Sequence, residues 1–212
     1  MENEINQIWD EYRELTAQAD SAFAKVSGDY PEFVTCRAHC TDCCRAVFGV
    51  FIVEAINIAD HFSQLPPEEQ RLALIRAKRS DEEITRIKKK ITIDPDDPDK
   101  YSLDLANERL DCPLLNDNQE CIIYEHRPIT CRSYGIPVKV RGKLRACFRN
   151  GFLEGQTYPY FNMDGAYQRL HLMTQKMMKL AGNKDVENAS LLITMSMAIS
   201  TPPKDLLIAD FI

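Results

Sequence analysis

The chain has 212 residues, 8 cysteines and a formal net charge of -6, with an isoelectric point near 5.3. Phosphate backbones and anionic lipid are held through an excess of Lys and Arg, which this composition lacks, so nucleic acid and membrane are excluded as general partners. A chain of this length buries a stabilising core without cross-links, and neither a basic-then-apolar leader after Met1 nor a run of about 18 apolar residues is present.

These features predict a soluble, cytoplasmic protein. In that setting, clustered cysteines point to metal rather than to disulfides, which belong to small secreted domains.

Taken in chain order, Ile5, Ile8, Trp9, Tyr12, Leu15, Ala19 and Phe23 recur at steps of three and four and predict an amphipathic helix from Glu2 to about Val26, ended by Gly28 and Pro31. The apolar run Val47 to Val53 reads as an extended lead-in to a helix over roughly Val53 to Phe62. Pro66-Pro67-Glu68-Glu69 marks the next helix start, with proline tolerated in the first turn and carboxylates facing the positive end of the helix dipole. This helix runs to about Lys90. The prolines and like charges of Asp94-Pro95-Asp96-Asp97-Pro98-Asp99 predict an exposed loop. From Cys112 to Cys147, Pro113, Pro128, Gly135, Pro137 and Gly142 predict short turns and helical pieces held around a common centre. Ala166, Tyr167, Leu170, Met173, Met177 and Leu180 predict a helix beyond Asp164, and Val186 to Ile199 another, stopped by Pro202-Pro203. The apolar tail Leu206 to Ile212 is expected to dock on the core.

The chemistry lies in the cysteines. Cys36, Cys40, Cys43 and Cys44 fall within nine residues, and intervals of two or three residues let one turn of backbone aim several sulfurs at one point, as metal-thiolate sites require. Neighbouring side chains diverge by about 100° on a helix and point to opposite faces of a strand, so Cys43 and Cys44 are expected to point apart and to serve two metal atoms or two centres. A second group, Cys112, Cys121 and Cys131, completes the shell from far along the chain. Cys147 stands outside both motifs, as an eighth ligand or a free thiol, inert or reactive.

The block Cys121-Ile122-Ile123-Tyr124-Glu125-His126-Arg127-Pro128-Ile129-Thr130-Cys131-Arg132, with Cys112-Pro113 ahead of it and the four-cysteine cluster further upstream, resembles the YkgJ-type cysteine-cluster family of zinc- or iron-chelating domains. The first cluster departs from the family's CxxCxxCC pattern: three residues rather than two separate Cys36 from Cys40. The resemblance implies a metal-chelating core. Because related domains occur in flagellin lysine methylases, it also brings an enzyme, a methylase or an oxidoreductase using the cluster, into view as the alternative.

Thiolates on a divalent ion leave a net anion that needs cations or donors nearby. Arg127 and Arg132 are expected to help neutralise the site or to orient its loops. His39 and His126 are read as solvated or hydrogen-bonded rather than as ligands. His61 has no cysteine neighbours in sequence, and Arg76, Lys78 and Arg79 read as a solvated helix face. Cys36-x3-Cys40-x2-Cys43 is also similar to the radical-SAM cluster motif, but that motif needs a β/α barrel, which this helical pattern does not predict.

The expected architecture is mainly α, with irregular loops organised around a cysteine-ligated metal centre. It forms a single metal-binding domain over 1-212, with helical flanks at 1-30 and 165-212. The expected ligands are Cys36, Cys40, Cys43, Cys44, Cys112, Cys121, Cys131 and Cys147. The expected cofactor is iron or an iron-sulfur cluster, with zinc as the alternative, and the expected role is metal handling or redox chemistry.

Overall fold

The stripe of Ile8, Tyr12, Leu15, Ala19 and Val26 is buried along one face of helix α1 (Glu2–Asp29) in the computed structural model. The structure describes residues 2–37, 39–91, 100, 104–105, 107–153, 155–184, 186–190 and 192–208. The chain is mainly α-helical and divides into two compact units, one of residues 1–38, 127–191 and 210–212, the other of residues 39–126 and 192–209. The Asp94 to Asp99 loop and the last residues of the tail, from Ala209, lie outside the described residues. Among the described residues, no helix is long and apolar enough to cross a membrane.

In the first unit, α1 packs against the short α4 (Ile129–Ser133) and against α5 (Met163–Leu180). Leu15, Ile129, Ile136, Leu170, Met173 and Met178 form its fully enclosed centre. Arg169 of α5 reaches Glu14 of α1 at 3.3 Å, and Lys176 reaches Glu11 at 3.4 Å. Such partly exposed pairs set register more than they add stability.

A three-stranded sheet, ordered β2-β1-β3, follows α4: β1 (Val138–Val140) pairs antiparallel with β2 (Lys143–Arg145) and parallel with β3 (Phe161–Asn162). The two-residue turn at Arg141 and Gly142 has φ of 51° and 72°, the left-handed pair that matches the twist of a hairpin. Asp164 at the start of α5 accepts from the amides of Arg141 and Gly142 at 2.6 and 2.9 Å, and these bonds hold its carboxyl below the usual carboxylate range. The sequence reading predicts turns and helical pieces here, because three-residue strands are too short to show a period. With this small sheet as the strand structure among the described residues, a radical-SAM barrel has no counterpart there.

In the second unit, α2 (Ile52–Phe62) is buried on nearly every side. Glu54 is buried with it, at 2 % exposure, because its carboxylate accepts the Phe51 amide at 3.1 Å and so caps the helix start. Helix α3 (Pro67–Lys90) begins and ends where its proline and its acidic first turn predict. It buries a narrow stripe of small residues, Ala73, Ala77 and Ser80, ending at Ile87.

The expected continuous helix over Val186 to Ile199 is broken. A 3-10 turn (Val186–Ser190) is followed by an extended stretch in which Ile193 exchanges both backbone hydrogen bonds with Val50, at 2.9 and 3.0 Å. The Thr194 side chain then accepts from the Met197 amide and caps a new helix, α6 (Met195–Ser200). Two backbone bonds to a distant segment and a fresh cap outweigh the apolar pattern that suggests a helix running through. Helix α6 ends at Ser200, just before Pro202-Pro203; Pro203 then opens the last helix, α7 (Pro203–Ile208), and Leu206 docks it at 0 % exposure. Helices α6 and α7 both pack on α2, and α6 also packs on α3.

Gly49 lies beside the Val50–Ile193 pairing, where an added Cβ would stand 2.6 Å from the Leu192 Cβ. Gly49→Ala is therefore expected to destabilise the chain by about 1–3 kcal/mol through overpacking. Urea denaturation would reveal this as a lowered midpoint with unchanged slope.

Candidate metal centre

Backbone pairing within the second unit brings two cysteine regions together. The 3-10 turn Cys43–Arg45 follows Asp42, and its residues lead straight into an antiparallel bridge between Ala46 and Arg109. The Leu110 amide donates to the Arg45 carbonyl at 3.0 Å and the Cys112 amide to the Cys44 carbonyl at 2.7 Å. Cys112 is thereby tied to the backbone of the first cluster.

Cys121 returns by a tight loop. Leu115 bridges Cys121, the Ile122 amide donates to Leu114, and the Asn116 side chain accepts the Glu120 amide at 2.9 Å. Gln119 takes the left-handed conformation that closes the loop, with φ of 62°. Arg45 ties the two segments from outside, through Asp111 at 3.2 Å and Gln119 at 3.4 Å.

The Cys43 and Cys44 sulfurs are 3.9 Å apart. This corrects the expectation that adjacent cysteines point apart: two short side chains on a tight turn can rotate toward each other about their Cα–Cβ bonds, whatever the angular step of the backbone. Contact with Cys43, then burial, then the neighbouring Cys112 and Cys121 push the Cys44 thiol far above the ordinary thiol range. Burial pushes Cys112 up to about 12; a hydrogen bond from the Leu114 amide opposes the rise, Cys121 and Cys43 add to it, and the Arg76 guanidinium opposes it more weakly. Cys112 as a residue is half-buried while its sulfur is enclosed.

Four thiols therefore share one electrostatic neighbourhood in this unit: Cys43, Cys44, Cys112 and Cys121. Cys40 precedes them by three residues and is half-buried. Among the described residues, no group of three or more His, Cys, Asp or Glu side chains already stands as a ligand set for an ion. Soft sulfur donors suit zinc and iron, and two sulfurs on one tetrahedral ion with metal–sulfur bonds of about 2.3 Å lie about 3.8 Å apart. The Cys43–Cys44 pair matches that separation, so the donor chemistry fits, with Cys112 and Cys121 needing to close in.

The first unit holds Cys36, Cys131 and Cys147. The Cys36 thiol lies 3.8 Å from the Tyr134 carbonyl and against Gly135, whose φ of +99° and lack of a Cβ leave room for that sulfur. Asn150, three residues after Cys147, hydrogen-bonds the Gly135 carbonyl and accepts from the Thr35 hydroxyl at 2.8 Å. The strand of chain carrying Cys36 is thus fastened to the loops that follow Cys131 and Cys147. Cys131 itself sits on α4.

Arg132, expected to help neutralise the site or to orient its loops, is engaged within the first unit. Its side chain is 9 % exposed, meets Asp20 of α1 at 2.5 Å and donates to the Arg127 carbonyl at 2.8 Å. Arg76, read from the sequence as part of a solvated face, instead donates from Nε to the Pro113 carbonyl at 2.8 Å, beside Cys112. No sequence signal separates Arg76 from Arg79, because only the fold decides which helix position meets the Cys112-Pro113 loop. His61 stacks on His126 with ring centroids 3.3 Å apart, and its Nδ1 faces the Asn57 carbonyl at 2.8 Å. The sequence gives no hint of that pairing. His39 adopts φ of 66° just before Cys40, where the departure from the family spacing lies.

A model of the CxxCxxCC family, described as "Putative zinc- or iron-chelating domain", matches residues 35–147. The chain belongs to this family. The matched span begins one residue before Cys36 and ends on Cys147, so it takes in all eight cysteines. No curated protein and no solved structure matches the chain.

Two outcomes follow from this geometry. A Cβ at position 135 would collide with the Cys36 sulfur and meet an unfavourable positive φ, so Gly135→Ala should destabilise the chain by more than about 1 kcal/mol. It should also speed alkylation of Cys36, read by mass spectrometry.

The second outcome concerns pH. A thiol whose pKa is higher when folded keeps its proton longer in the folded state, so stability falls as pH rises from the ordinary 9.0 toward about 12. The denaturation midpoint of the metal-free chain should fall over that window, and Cys112→Ser should flatten the fall. Parallel curves for the two proteins would contradict the assignment.

Proposed function

We propose that this protein is a metal-chelating protein that holds zinc or iron through thiolates, with Cys43, Cys44, Cys112 and Cys121 as the nucleus of its ligand set. The observation that carries the reading is the convergence of these thiols, above all the 3.9 Å separation of the Cys43 and Cys44 sulfurs. That spacing suits two donors on one metal atom better than donors on different atoms of a cluster. A mononuclear zinc or iron ion is the simplest centre that takes both sulfurs on one atom, as one iron of a two-iron cluster also would.

Cys36, Cys40, Cys131 and Cys147 remain in the proposal as further thiolate donors within a single metal-binding domain, acting in metal handling or redox chemistry in the cytoplasm. Thiolates bind metal only after losing their protons, so a cation and the raised thiol pKa values oppose each other. Metal loading should accordingly release protons and become tighter as pH rises through neutrality.

The test is to purify the full chain without oxygen and to measure metal and acid-labile sulfide, first for the wild type and then for single Cys→Ser variants. The expected result is zinc or iron without sulfide, lost to the same extent in Cys43→Ser and Cys44→Ser. Sulfide in proportion to iron would replace the mononuclear reading with a cluster. A natively folded chain that carries no metal and takes none up on reconstitution would end the metal reading altogether.

A further inference from the structure

Gathered thiolates on a divalent ion carry excess negative charge, and a partly buried anion needs a fixed cation or donor beside it. Four arginines of the second unit lie on elements near the cysteines in sequence or space, and their surroundings differ: Arg109, three residues before Cys112, is exposed and donates to the Glu108 carbonyl at 3.0 Å. Arg45 is engaged by the exposed Asp111 and by Gln119. Arg79, on the same helix as Arg76, is exposed. Arg76 is half-buried, and its Nε donates at 2.8 Å to the carbonyl of Pro113, the residue that follows Cys112 and is itself buried.

We propose that Arg76 is the positioning cation of the thiolate centre: it anchors the Cys112-Pro113 backbone through Nε and holds its positive charge beside the Cys112 sulfur. The proposal rests on the metal reading above and adds to it the residue that tunes the site. Several features make arginine suited to this task. Its planar guanidinium keeps its charge at any relevant pH and can spend one N–H on a carbonyl while the rest of the group stays oriented. Lys would bring charge without the fork. The Arg76 bond to the Pro113 carbonyl tethers the Pro113–Leu114 peptide, immediately after Cys112. Beside the stronger hydrogen bond from the Leu114 amide, the Arg76 guanidinium also opposes the rise at Cys112, in keeping with the contact at Pro113. Groups beside metal ligands that fix their orientation and offset their charge commonly alter affinity by about 10- to 100-fold when replaced.

The experiment uses the full metal-free chain under anaerobic conditions, titrated with Co²⁺ against a competing chelator while the sulfur-to-cobalt charge-transfer absorption is followed. Arg76→Gln keeps a donor for the Pro113 carbonyl but no charge, Arg76→Lys keeps charge but no fork, and Arg79→Gln is the control. The expected result is an affinity about 10- to 100-fold weaker in Arg76→Gln, partial recovery in Arg76→Lys, and wild-type behaviour in Arg79→Gln. A shifted charge-transfer band is expected in Arg76→Gln, which a purely structural role would not produce.

Wild-type affinity in Arg76→Gln overturns the proposal, and so does Arg76→Lys binding no better than Arg76→Gln. If Arg76→Gln does not fold, Arg76→Lys is compared with the wild type alone. An affinity reduced by less than the full margin of about 10- to 100-fold then supports the proposal, and an unaltered affinity and band overturn it, as does a loss by the full margin. A wild type that gives no sulfur-to-cobalt band overturns the metal reading itself, whereas a wild type that binds beside an unaltered Arg76→Gln overturns only the role of Arg76.

Discussion

The second unit depends on a small set of backbone hydrogen bonds that join Cys44 and Arg45 to Cys112 and Leu110. Thiols do not attract one another, and crowding them in a partly buried place disfavours their charged forms. Something else must hold them together, and here the peptide groups do so. Once the bridge at Ala46 and Arg109 and the loop closed by Asn116 and Gln119 are formed, Cys112 and Cys121 have little freedom to be anywhere but near Cys43 and Cys44. The thiols are thus gathered by peptide hydrogen bonds and not by attraction between the sulfurs.

This arrangement explains why the surrounding helices matter to the chemistry. Helix α2 is buried almost all round and is capped by its own Glu54, so it offers a fixed base immediately after the cysteine turn. The Val50–Ile193 pairing fastens the start of that base to the segment leading into α6. Helix α3 brings in the guanidinium of Arg76, aimed at the loop behind Cys112. In the first unit a different device holds Cys36, with a glycine in the left-handed region giving its sulfur room and Asn150 stitching the neighbouring strands of chain.

The long helices were legible because their apolar residues repeat over many turns. The predicted helices ending near Val26, Phe62, Lys90 and Leu180 match α1, α2, α3 and α5, the first running three residues further, to Asp29. The short elements were not. The hairpin at Arg141-Gly142 rests on two left-handed residues and on Asp164, more than twenty positions away, and the break near Ile193 rests on a partner at Val50. Local periodicity carries no information about such partners. The same holds for Arg132, whose neighbours in sequence are cysteine and serine but which pairs with Asp20, far along the chain.

From the order of residues alone came the helical class, the family and the thiol chemistry, since each is written in repeats and spacings along the chain. The rotation of Cys43 toward Cys44, the choice of Arg76 over its neighbours and the stacking of His61 on His126 came from folding. These depend on distances between atoms that are remote in the chain, and no spacing encodes those distances. They arise when hydrogen bonds and packing select one arrangement of the backbone among many.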